Sequence, residues 1–89
     1  MFQIEDERHA EPQGGEYASL AAALAELERR ASLPWDRPPN RAPCQNSRTC
    51  GRLYEIVEYD TSSTPWRELS RTPYLEVSAV GVEWLRHER

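Results

Sequence analysis

The stretch Pro34 to Arg52, PWDRPPNRAPCQNSRTCGR, limits what this chain can fold into more than any other part of it. Four prolines in 19 residues, each without an amide proton and with φ held near −65°, exclude both a continuous helix and a strand paired on two sides. The same prolines reduce the entropy lost on ordering, so a shaped loop is expected rather than a disordered one. A connection of this length inside a small domain needs either anchoring or a function.

Regular patterns flank the loop. Ser19 is a fitting N-cap, and Leu20, Ala23, Leu24, Leu27 and Ala31 fall on one stripe at the helical period, which predicts a helix within 19–32. Glu26 and Arg30 stand four apart, a favourable pair, while Glu28, Arg29 and Arg30 are expected on the solvent side. Pro34 stops the helix, because the residue before a proline is pushed towards extended geometry. After the loop, residues 53–60 (LYEIVEYD) place β-branched and aromatic residues in near alternation and read as the best strand of the chain. Leu53, Glu55, Val57 and Tyr59 share one face, and Tyr54, Ile56 and Glu58 the other. Both faces are mixed, which predicts a central strand with a helix on one side and a partly wet surface on the other.

Phe2, Gln3, Ile4 and Glu5 alternate as a short first strand within 1–5. Residues 6–18 are polar, with a proline and a glycine pair, and are expected to form a mobile connection. Residues 61–73 open on Thr-Ser-Ser-Thr-Pro and read as a turn region, with either one helical turn or a strand around Trp66 and Leu69. Residues 74–86 form either a strand pair turning at Ala79-Val80-Gly81 or one strand bulged at Gly81. A chain of 89 residues has the length of a single domain that buries only about 60% of its unfolded surface. The expected fold class is therefore α+β: a small antiparallel sheet of three to four strands, one helix packed on one face, and a long ordered loop between helix and second strand. A homodimer would cover the other face.

All eleven basic residues are arginine, beside abundant alanine, proline and glutamate, the composition of a GC-rich bacterial coding sequence. The net charge of −4 argues against a chain that coats nucleic acid through counterion release. Arg37, Arg41, Arg48 and Arg52 against Asp36 give residues 34–52 a charge of +3, leaving −7 elsewhere: a basic island on an acidic body. No apolar run approaches the roughly 20 residues that span a bilayer, and the first residues are acidic where a secretory signal is basic. A reducing cytoplasm is the expected compartment.

Cys44 and Cys50 are separated by five residues, outside the two to about four usual for a local zinc pair. The further ligands would have to come from His9 and His87, near the two ends, so no metal is expected. Arg48 and Arg52 beside either sulfur would favour thiolate and make the pair a redox sensor. A phosphatase-like loop needs arginine six positions after its cysteine; Cys50 and Ile56 occupy those places. Both histidines read as solvated, glycine-rich phosphate loops are absent, and no cofactor is implied.

What remains is recognition. Trp35, Arg37, Asn40, Arg41, Arg48 and Arg52 are the candidate residues, with tryptophan as anchor and arginines pairing with carboxylates. The expected function is non-catalytic, a protein-interaction or regulatory module with a protein partner. Phosphate or single-stranded nucleic-acid binding by the same residues, and thiol redox sensing by Cys44 and Cys50, are the alternatives. A structural role is the competing expectation, with the loop arginines tied to Glu55, Glu58 and Glu76.

Overall fold

A computed structural model describes residues 1–9, 11–42 and 51–85. Its elements are β1 (Phe2–Asp6), β2 (Glu11–Pro12), α1 (Leu20–Ala31), β3 (Arg52–Asp60), β4 (Arg67–Ser78) and β5 (Gly81–Trp84). The strands form one antiparallel sheet in the order β2-β1-β3-β4-β5. The α+β architecture is as expected, with four strands of ordinary length and a two-residue edge strand, and β3 lies at the centre. No described helix is long and apolar enough to cross a membrane.

Helix α1 begins where its cap predicts: the Ser19 hydroxyl accepts from the Ala22 amide at 3.1 Å. Its stripe then closes the core. Ala23 and Leu27 are buried against Ile4, Tyr54, Ile56, Tyr74, Leu75 and Val77, with Leu20, Leu24 and Ala31 packed at the margin. Phe2, Ile4 and Asp6 of β1 stand opposite Glu58, Ile56 and Tyr54 of β3, so the alternating residues of both strands share the helix-covered face. Burying an aliphatic or aromatic side chain of this kind contributes about 1.5–3 kcal/mol.

Arg30 departs from expectation. Rather than pointing to solvent, it is buried, with its guanidinium 5.1 Å from the centre of the Tyr54 ring. It donates to Glu26 at 2.7 Å and to the Gln13 side chain at 3.2 Å. The long stem covers apolar surface while the charged head keeps polar partners.

The segment read as a mobile connection is also tied down. The Gln13 amide donates to the Ile4 carbonyl, and Tyr17 exchanges two backbone hydrogen bonds with Phe2, both 2.8 Å. In the region read as turn, only residues 61–66 are irregular; from Arg67 the chain is strand, in register with β3 from Asp60 back to Arg52. The residues Arg67 to Thr72 are exposed apart from intermediate Thr72, so no apolar alternation marked them, and pairing with β3 makes them a strand. A register shift near Pro73 accommodates the missing amide. The last segment is a hairpin rather than a bulged strand: Ser78 pairs with Gly81 across Ala79 and Val80, and Gly81 takes φ +131°.

The face of the sheet away from α1 is ionic. Glu55 is 3% exposed and accepts from Arg71, which also donates to Glu5 at 2.8 Å and Glu68 at 2.8 Å. Tyr59 donates to Glu5 at 2.9 Å, and its ring lies beside Trp66.

Candidate functional site

The first half of the proline-rich loop closes over the C-terminal end of α1, where helix carbonyls lack intrahelical partners. Asn40, 1% exposed, supplies the donor. Its side-chain amide reaches the carbonyls of Arg30 (2.8 Å), Leu33 (3.2 Å) and Pro34 (3.3 Å). Its Oδ1 accepts from the Tyr54 hydroxyl at 2.9 Å, and the Pro39 carbonyl lies 3.2 Å from the same hydroxyl. Burial raises the Tyr54 phenol above its ordinary value, so it remains a neutral donor. Further along, the Arg41 amide donates to the Arg37 carbonyl at 3.0 Å. Asn40 is therefore a structural pin and leaves the candidate binding set.

Arg52 leaves it as well. It is 7% exposed and donates to Asp6 at 3.0 Å and to the Arg41 carbonyl at 2.6 Å. Asp6, fully buried, is the hub of this corner. One carboxylate oxygen accepts from the amides of Arg8 and Leu53, both 3.1 Å. The other meets Arg52 and the His9 Nδ1, the latter at 2.6 Å. His9, read as a solvated histidine, is thus held by a buried aspartate. The hub joins the end of β1, the following turn and the start of β3, where Gly51 is also required: a Cβ there would overlap the Val77 carbonyl oxygen.

Two of the three expected carboxylate partners of the loop arginines are taken by others, and Glu58 has no ion-pair partner among the described residues. Glu55 pairs with Arg71, and Glu76 with Arg8. Sequence reasoning missed Asp6, whose only signal was an acidic residue ending an alternating strand, and Arg8, which sits in a charged run without pattern.

Trp35 is 41% exposed, and Asp36, Arg37 and Arg41 are exposed beside it. Among the described residues no carboxylate pairs with Arg37 or Arg41. Of the sequence-predicted set the structure leaves Trp35, Arg37 and Arg41 on the surface of one pinned turn. Arg48, Cys44 and Cys50 lie outside the described residues. No protein-family model matches the chain, and comparison with curated proteins and with solved structures found no match.

Proposed function

We propose that the chain is a non-catalytic interaction module that binds an acidic segment of a protein partner through the turn at 34–42. Trp35 serves as the anchor, and Arg37 and Arg41 pair with carboxylates. The observation that carries this reading is that the buried Asn40 fixes the turn while Trp35 in the same turn remains 41% exposed. A pre-ordered loop loses little entropy on association, and tryptophan and arginine are the residues in which binding energy concentrates. Exposed arginines that pair with no carboxylate among the described residues lose no such ion pair when they bind.

The test places a photo-reactive phenylalanine analogue at position 35 and follows cross-linking in lysate of the source cells. Arg37→Ala/Arg41→Ala, which removes only exposed side chains, is expected to lower cross-linked partner at least tenfold, and raised salt to weaken capture of the wild type. Equal capture by both proteins overturns the proposal. Fluorescence anisotropy with single-stranded oligonucleotides is the control arm: salt-sensitive binding lost in the double variant would assign the turn to nucleic acid instead.

A further inference from the structure

The other end of the helix-covered face holds a cleft that the interaction surface does not use. It has a volume of about 150 Å³ and is lined by apolar or aromatic Ile56, Leu20, Phe2 and Tyr74 together with polar Glu58, Ser70 and Thr72. The register explains the set: Glu58 stands opposite Phe2 on β1 and Ser70 on β4, and Ile56 opposite Thr72. α1 begins at Leu20, so it leaves this end of the sheet uncovered.

Glu58 is the one carboxylate in the lining. It is half-buried, and among the described residues it has neither an ion-pair nor a hydrogen-bond partner. The nearest cations of β4 are engaged elsewhere. Arg67 pairs with Asp60 at 3.3 Å, and Arg71, opposite Val57, belongs to the other sheet face with Glu5, Glu55 and Glu68. An anion here would face Glu58, and a wholly apolar group would desolvate the carboxylate without compensation. A cation does neither, and the lining includes the aromatic side chains of Phe2 and Tyr74.

We infer that this cleft binds an organic monocation of side-chain size, a guanidinium or primary ammonium on a short aliphatic stem. Glu58 pairs with the charge, Ser70 and Thr72 accept its remaining N–H groups, and Leu20, Phe2 and Ile56 cover the stem. The volume suits one such group and is below the roughly 300–1,000 Å³ of pockets for larger ligands.

The experiment titrates the isotope-labelled chain with n-butylammonium, n-butylguanidinium and the neutral butan-1-ol, following backbone amide shifts. Saturable shifts centred on Phe2, Leu20, Ile56 and Thr72 are expected for the two cations. Affinity is expected to fall at least tenfold for the alcohol, and for the cations in Glu58→Gln. Ser70→Leu, which fills the cleft and keeps the carboxylate, is expected to abolish the shifts. Equal responses to cation and alcohol, unchanged cation binding in Glu58→Gln, or no saturable shift overturns the inference. A further arm with N-acetyl-arginine and N-acetyl-lysine methylamides separates the sources: binding at least as tight as the free amines assigns the cleft to a polypeptide side chain, and binding of the free amines alone to a small molecule. Neither result depends on the turn at 34–42.

Discussion

The two ends of the central strand β3 treat their charges in opposite ways. At its start, Arg52 and Leu53 converge with Arg8 and His9 on one fully buried carboxylate, and Tyr54 reaches the pin of the proline-rich turn. At its finish, Glu58 sits over an open cleft with no partner among the described residues. The contrast teaches that an arginine's role in this chain follows from its distance to a buried acceptor and not from the charge of its segment. Arg52 and Arg41 belong to the same basic loop, yet Asp6 draws one inward and the other stays at the surface.

The largest effect is expected at the closed end. Asp6→Ala removes the buried carboxylate that pairs with Arg52 and accepts from the Arg8 and Leu53 amides, which is expected to lower unfolding stability by about 3–5 kcal/mol. For a domain with a total of about 5–15 kcal/mol that approaches loss of the fold. The measurement is urea denaturation of the variant, and of Asp6→Ala/Arg52→Met, where removing the buried guanidinium as well is expected to restore part of the loss. A double variant no more stable than the single one would mean that Asp6 acts through the Arg8 and Leu53 amides and not through charge.

Asn40→Ala comes next. It removes the donor shared by three carbonyls at the end of α1 and the acceptor of the buried Tyr54 hydroxyl. Leaving such groups unsatisfied costs about 1–3 kcal/mol, measurable as a shift in the urea midpoint. The same variant is expected to weaken partner capture although it leaves Trp35, Arg37 and Arg41 in place. A destabilised variant with unimpaired capture would show that the turn need not be pre-ordered.

How much of this was legible in the sequence depends on whether a residue's environment is set locally. The cap at Ser19, the stripe from Leu20 to Ala31 and the alternation in residues 53–60 are local, and the elements fall where those patterns put them. Around Leu69 the strand was one of two open alternatives, and the exposed, mostly polar residues Arg67 to Thr72 could not decide it, because their pairing with β3 is not local. Arg30 had the spacing of a solvent-facing residue, but Tyr54 and Gln13, distant in sequence, provide a place for its head beneath the loop. The candidate surface divides similarly. Trp35, Arg37 and Arg41 are what composition suggested, whereas the inward fate of Asn40 and Arg52 depends on contacts 10 to 46 residues away.

A smaller effect is expected from Glu26, a further prop of the closed end. Hydrogen bonding from Arg29, then from Arg30, lowers its carboxyl from 4.5 to about 2. A depressed folded-state value contributes stability that is complete above the ordinary value and is lost as the pH falls through the folded one. Wild type is therefore expected to exceed Glu26→Gln by about 1 kcal/mol near neutrality. The gap should shrink as the pH falls from 4.5 towards about 2. Parallel curves over that window would show that the ion pair does not couple to folding.

The smallest effect is expected at the open end, and it is the most discriminating. If Glu58 is as unengaged as its surroundings indicate, Glu58→Gln changes no folded-state contact, and the urea midpoint should correspond to a shift within about ±0.5 kcal/mol. The competing account is that Glu58 serves the start of α1, since Leu20 lines the same cleft and a negative charge near a helix N-terminus contributes about 0.3–1 kcal/mol at the surface. That account predicts a loss that salt diminishes. Absence of any loss at low salt, beside the several kcal/mol expected at Asp6, would establish that two acids facing the same side of one sheet differ in kind, one holding the fold and the other available to a ligand.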